Sequence, residues 1–576
     1  MAVEQITYKN IDPKVRTAIM VGICLAMLIA CFDGTIVGTC GPKIAEDLDG
    51  LELYSWLATA YMLFETIFIP IAGKLSDLYG RKPLFLIGLT IFVIGSFIAG
   101  ASTSMTMLIA CRAFQGIGGG ILIPVATAAV ADLYPPAKRA KMQGMLGAIF
   151  GIGSGVGPVL GGYIEEYFGW RWVFYINIPL ALVSYFLTIK KFPTPDEISK
   201  PVIDTKGIVL LSVALGDLVL FFNFVGDDFG WVSTESFVML GVFLVLIALF
   251  VLVEQKAQEP LLAPHLIHNK VVVESAVFML IFGLAMMGAE MYSSMFAIYV
   301  LGLSTLEAGE YSIIMVIGMM ITSITSGNTV NKTGYRFWLI TGIVITVIGM
   351  YMFSELTLGS ELSYYAECLF VLGFGLGCMM SVIQVAVQNA SKPSEIGMTT
   401  SATNLFRGIG TTIGTAVFAM IIGNRIDEEL QANVSETVYN SIEHDTGCLQ
   451  DLANAIADGN MTIISEANQI LLSFANSVNY AFICAAGIVA CLIVIAVIYK
   501  APTYTGNEVG DEATAQVMSD IEKYHKHGII PEAFREEAKR AAEAKNASGT
   551  EHASEEGKTP EPGKDGKKRR FGRRKE

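Results

Sequence analysis

Charge is what this chain of 576 residues lacks most: 16% of it is Asp, Glu, Lys or Arg, against roughly 25% in soluble domains. With 53% hydrophobic residues and a mean hydropathy of +0.54, a water-soluble globular fold is excluded. No GxxxxGK[ST] string occurs, so nothing supports ATP-driven work. The G-x-G strings around Gly151–Gly157, Gly373–Gly375 and Gly408–Gly410 lie inside apolar runs, without the preceding aqueous strand that a dinucleotide fingerprint needs. Nine cysteines show no CxxC spacing, and seven sit in apolar runs where Cys acts as a small hydrophobe, so neither a disulfide framework nor a metal site is expected. All six histidines except His444 fall in the 254–270 stretch or the C-terminal tail. No His/Asp/Cys cluster has catalytic spacing, which argues against an enzyme. The first apolar run passes into Asp33 and Pro42 without an n-h-c pattern, so no cleaved leader is expected.

Long apolar runs are what is present. A spanning helix needs about 20 apolar residues, and fourteen stretches qualify: 16–38, 54–72, 84–100, 105–130, 142–164, 174–190, 207–225, 236–253, 272–299, 309–327, 337–354, 364–388, 397–423 and 476–499. An all-α polytopic membrane protein follows. With a cytoplasmic N-terminus, eighteen Lys and Arg fall in the N-terminal segment and interior loops, and three outside (Lys43, Arg171 and Arg425). That bias fits the positive-inside rule and predicts both termini in the cytoplasm. The formal charge of −14 is spread over separate compartments, and nothing in it points to nucleic acid.

A charged loop between two spans, Gly73-Lys74-Leu75-Ser76-Asp77-Leu78-Tyr79-Gly80-Arg81-Lys82-Pro83, recurs in weaker form at Gly327–Arg336, with both glycines at the same separation and Asn331 in place of Asp77. The repeat predicts two parallel six-span bundles, residues 1–190 and 271–500, around an inserted span pair with its linkers at 191–270. Arg81 and Lys82 are expected to pair across the bundles, and the loss of the acid at Asn331 predicts that only the first copy locks them. The exterior stretch 424–474 carries nine acids and one base and holds amphipathic runs such as Ile426–Leu430, so a small helical cap is expected. Its Asn433-Val434-Ser435 and Asn460-Met461-Thr462 are glycosylation acceptors only in a eukaryote. The tail 501–576 reads as a solvated cytoplasmic segment whose basic end favours anionic lipid.

Intramembrane charges are functional candidates because an ionised group in a span is costly. Asp33 in span 1 is expected to take and release a proton, assisted by Glu65 in span 2. Arg112 in span 4 needs an internal acceptor: carbonyls near Gly116–Gly120, Gln115, or the carboxylate of Asp33. Glu290 in span 9, with Met291, Tyr292 and further methionines around it, is a candidate substrate contact, as is Gln115. Asp217 is expected to be peripheral. Arg407 is expected to bond to carbonyls or to Gln384 or Gln388. In span 5, Gly153, Gly157 and Gly161 recur every four residues beside Pro158, forming a smooth face for close helix approach, expected to be the surface on which the bundles rock.

Taken together, these residues resemble the 14-span drug:proton antiporter branch of the major facilitator superfamily over about residues 15–500. The resemblance rests on the Gly73–Pro83 loop, Asp33 with Thr35 and Pro42, Arg112-x-x-Gln115-Gly116, Gly157-Pro158-x-x-Gly161-Gly162, and Trp170-Arg171-Trp172-Val173-Phe174-Tyr175-Ile176-Asn177-Ile178-Pro179. Gly38 departs from the branch, which often has Asn there, and the 424–474 stretch is unusually long. The resemblance implies a plasma-membrane exporter of lipophilic or cationic small molecules, driven by the proton gradient with no cofactor or metal and expected to be a monomer in lipid. Gly73, Asp77, Gly80, Arg81, Gly153, Gly157, Pro158 and Gly161 would gate it. Export of an endogenous metabolite or lipid-like compound, or a non-transporting receptor, are the alternatives.

Overall fold

The computed structural model describes residues 11–502 apart from 51–52, 54, 190–191, 193–202, 226–228 and 459. The charged tail, and the Pro-rich linker at 193–202, lie outside the described residues. Fourteen helices are long and apolar enough to cross a membrane, and no strand is found among the described residues. The first crossings are α1 (Pro13–Asp47), α2 (Trp56–Tyr79), α3 (Arg81–Gly100), α4 (Met105–Leu133) and α5 (Pro136–Phe168). The sixth is broken at Ile176 into α6 (Arg171–Tyr175) and α7 (Asn177–Thr188). An added pair follows, α8 (Thr205–Phe224) and α9 (Thr234–Glu254). Then come α10 (Lys270–Tyr299), α11 (Thr305–Thr333), α12 (Tyr335–Ser354), α13 (Leu362–Asn389) and α14 (Ile396–Asn433). The short α15 (Glu436–Tyr439), α16 (Cys448–Asp458) and α17 (Met461–Ile464) precede α18 (Ala467–Ile498).

Local chemistry sets the ends of these helices. Asp12 accepts from the Lys14 N–H at 2.7 Å with Pro13 at the first turn of α1. Ser304 and Glu307 form a reciprocal capping box at α11, each satisfying an orphan backbone donor. Gly80 and Gly334 join α2 to α3 and α11 to α12 with nearly the same backbone, φ 89° and 82°, ψ 157° in both. Side chains other than glycine are strained at that φ, so the recurring glycine is a geometric repeat as well as a sequence one.

Helices α1–α7 pack mainly on one another, as do α10–α14 with α18. The two groups meet along two seams, α5 on α11 and α2 on α14. The first glycine of each loop copy lies on a seam: Gly73 abuts Gly397 of α14, and Gly327 abuts Gly144 of α5. Helix α8 lies against α2 and α14, with Ile69, Leu215, Phe250 and Leu405 in one apolar cluster, while α9 faces outward with Phe237 and Leu244 exposed. The added pair therefore covers the α2/α14 seam. The C-terminal described end lies beside Gly334, where Arg336 donates to the Tyr499 carbonyl at 2.7 Å and Tyr335 to that of Pro502 at 2.9 Å. We call this face the loop end and the opposite one the cap end.

At the cap end, the predicted cap is present in modified form. Ile426 and Leu430 are fully buried, but in an outward extension of α14 rather than in a separate helix. The cap proper is α15–α17, with Cys448, Leu449, Leu452 and Ala455 forming the buried face of α16. Glu466 clamps it by accepting from the Ser435 N–H at 2.7 Å.

Candidate functional site

Four helices place polar groups around one carboxylate. Asp33 of α1 is fully buried, as is Gln115 of α4, while Arg112 of α4 is 1% exposed. Arg112 Nη1 forms an ion pair with Asp33 Oδ2, and Nη2 donates to the Asp33 carbonyl at 3.4 Å. On the other carboxylate oxygen, Gln115 Nε2 donates at 3.2 Å and Asn177 Nδ2 at 3.0 Å. Ser96 of α3 accepts from the same two amides at 2.7 and 3.0 Å. Arg112 also donates Nε to the Leu57 carbonyl at 3.2 Å and lies 4.3 Å over the Tyr61 ring. Of the acceptors expected for Arg112, the structure selects Asp33 and Gln115, together with carbonyls outside the Gly116–Gly120 run. Ser96 and Asn177 were not singled out from sequence. Asn177 stands in the Trp170–Pro179 string, whereas Ser96 carries no signal in an otherwise apolar span.

Glu65 of α2 is half-buried and lies within the fields of Arg407, Arg112 and Asp33. Arg407 lines a central cavity with Phe150, Gln384 and Asn404, among others, which has room for about one water molecule. Arg407 does not bond to Gln384 or Gln388 as expected. Its guanidinium stacks 4.6 Å from the Phe150 ring, and Nε has no partner. Gln384 is engaged elsewhere, donating to Asn404 at 3.2 Å, and Gln388 donates to the Thr127 carbonyl at 2.9 Å.

The remaining substrate candidates do not converge. Gln115 belongs to the Asp33 cluster. Tyr292 is buried and stacks on Phe418, Met291 is 42% exposed on the outer side of α10, and half-buried Glu290 has no charged group acting on it. Asp217 of α8 is half-buried, with Oδ2 unpartnered.

The loop end is where the two helix groups are bonded together. Asp77 accepts from the Gly397 and Met398 N–H groups, at 2.9 and 2.7 Å, at the start of α14. A carboxylate at a helix N-terminus is favoured by orphan donors and by the helix dipole. Arg81 stays within its own helix group, paired with Asp77 at 2.5 Å and with Asp132 at 3.1 Å. The cross-seam element is thus Asp77, not Arg81. Nor is the second copy without a bond: Asn331 donates to the Ala137 carbonyl of α5 at 2.9 Å. Further bonds across the groups run from Asn404 to Thr127 Oγ1 at 3.3 Å and from Arg139 to Asn389 at 3.4 Å.

Helix α5 carries two glycine faces. Gly153, Gly157 and Gly161 face α1, with Thr35 donating to the Gly153 carbonyl and Cys40 to that of Gly161, each at 3.4 Å. That predicted face therefore packs within one helix group. The seam with α11 is made by Gly144, Gly147, Gly151 and Gly155, where a methyl on Gly144 would fall 2.5 Å from the Ser323 carbonyl oxygen. Pro158 lies beside Gly309 of α11 at the same seam.

The family profile described as Major Facilitator Superfamily matches residues 23–415. Multidrug transporter protein MdtP of Bacillus subtilis is 36% identical over 410 residues, 71% of this chain and 76% of that one. Multidrug resistance protein 3 of the same organism is 32% identical over 501 residues, 86% of this chain and 97% of that one. Among solved structures, the human organic anion transporter MFSD10 superposes with a TM-score of 0.54 at 14% identity, covering 84% of this chain and all of that one, a likeness of fold alone.

Proposed function

The chain belongs to the Major Facilitator Superfamily, and from that premise we propose that it is a proton-coupled antiporter exporting hydrophobic or cationic small molecules by alternating access. The observation that carries this reading is the Asp33 cluster, a single carboxylate excluded from water and balanced by one arginine and two amides. Protonating such a group changes the charge balance of the four helices that meet there. The multidrug names of the two Bacillus relatives support the substrate class. The basic-residue bias supports a plasma-membrane orientation with the loop end and both termini in the cytoplasm. The proton gradient supplies the work, and no cofactor is needed.

In this cycle the described conformation has its cytoplasmic end shut by Asp77 and the bonds around it. A proton reaches Glu65 from outside and passes to Asp33. Once neutral, Asp33 no longer balances Arg112, which turns toward the Gln115 and Leu57 carbonyl oxygens that it already contacts. The hold of α4 on α1 weakens and the α2/α14 seam opens at its cytoplasmic end. Substrate enters there, and Arg112 returns to Asp33 as the proton leaves. The test is transport in everted membrane vesicles with an internal pH probe. Added substrate should dissipate a preset proton gradient; movement of substrate with no proton flux would rule out antiport.

A further inference from the structure

The central cavity contains one polar group whose bonding is incomplete. Its amides satisfy each other or nearby backbone: Gln384 donates to Asn404, Asn404 to Thr127, and Gln143 to the Thr127 carbonyl at 2.8 Å. Arg407 is the exception. It is 6% exposed, and no carboxylate among the described residues lies within ion-pair distance. Its Nε is buried without a partner. Glu65 is the acid whose field it feels, yet the two do not form a salt bridge among the described residues. Leaving a charge buried and unpaired is costly, and a guanidinium can only donate. What the cavity lacks is therefore an acceptor, preferably an anionic one.

We propose that Arg407 is the anion-binding group of the central cavity and, once the α2/α14 seam opens, takes the carboxylate of a lipophilic substrate. Phe150 holds the guanidinium plane from one face, leaving its edge for the planar, two-point contact that carboxylates make with arginine. Glu65, in the field of the same arginine and half-buried, faces the opposite charge preference. A zwitterionic amphiphile, with a carboxylate toward Arg407 and a cationic group toward Glu65, satisfies both. This narrows the substrate class given above and rests on that transport reading. A cation lacking an acidic group would leave Arg407 unsatisfied.

The test is equilibrium binding by fluorescence polarisation, using purified full-length protein in detergent with rhodamine B, which has a free carboxylate, and its ethyl ester, which does not. Wild type should bind the acid about tenfold more tightly than the ester, the scale of one charge-assisted hydrogen bond. Arg407→Gln should abolish that preference, and Arg407→Lys should retain part of it. Equal binding of acid and ester by folded wild-type protein overturns the proposal whether or not the variants fold, as does a preference that survives Arg407→Gln. Proton flux in vesicles is read separately. A carboxylate preference without proton flux would refute antiport while sustaining the subsite, and flux without a preference would do the reverse.

Discussion

Arg112 and Asp33 form an ion pair in which neither side chain is appreciably exposed, and the second carboxylate oxygen is held by amides from two helices. Removing one partner of such a pair leaves a buried charge and costs about 3–5 kcal/mol, whereas removing both is far milder. Arg112→Gln should therefore lower the melting temperature in detergent sharply, and Asp33→Asn added to it should restore most of the loss. The double variant should still fail to couple substrate to protons. Unchanged coupling in Asp33→Asn alone would remove Asp33 from the mechanism.

Asp77 joins α2 to the first turn of α14 through two backbone donors. Hydrogen bonds to a charged acceptor contribute about 1.5–3 kcal/mol each, so Asp77→Ala should shift the population toward a state open at the loop end. A cysteine placed at Thr127, which lines the cavity, reports this in everted vesicles treated with an impermeant maleimide. Labelling should be at least tenfold faster in the Asp77→Ala background, and a smaller change is expected for Asn331→Ala. Identical rates in all three would place the lock elsewhere.

What was legible in the sequence followed from solvent physics. Apolar run length located the fourteen crossings because backbone in lipid must be helical, and the loop repeat marked two turns, at Gly80 and Gly334, that share a positive φ. Asp33 and Arg112 were legible as intramembrane charges, but their pairing was one option of three. Ser96 was invisible, since a serine in an apolar span has no periodic signature. The two faces of α5 were conflated for a related reason. Its glycines are frequent enough to satisfy more than one four-residue repeat, and only the neighbours distinguish Gly153 against α1 from Gly144 against α11. Arg407 was read as a satisfied arginine because nothing in sequence shows that its guanidinium faces Phe150 rather than the Gln384 and Gln388 side chains.

The α5/α11 seam supplies a contrast between glycines. At Gly144 a methyl would meet the Ser323 carbonyl oxygen at 2.5 Å and the Gly327 Cα at 3.4 Å, both backbone atoms that cannot swing aside. At Gly162 the nearest atom is the Leu306 Cδ1 at 3.9 Å, an ordinary contact. Gly144→Val should destabilise by about 1–3 kcal/mol through overpacking and abolish transport, whereas Gly162→Ala should leave both melting temperature and transport within error. Normal transport by Gly144→Val would mean that the seam is not closely packed during the cycle.

Cys448 reports on the cap. Burial, followed by the nearby Asp445, Asp451 and Glu443, pushes its thiol up from 9.0 to about 12. The reactive species is the thiolate, so Cys448 should resist alkylation at pH 8 and react only when α16 leaves its seat. The same shift fixes the sign of the pH dependence. An unfolded cap ionises this thiol near pH 9.0 and the folded one near 12, so its contribution to cap stability is fully present below about pH 9 and lost as pH rises toward 12. The check is the rate of iodoacetamide labelling of Cys448, located by mass spectrometry, from pH 7 to 10. In the intact cap it should stay at least tenfold below that of an exposed cysteine introduced at Met461. Equal rates at pH 8 would mean that α16 is open in solution.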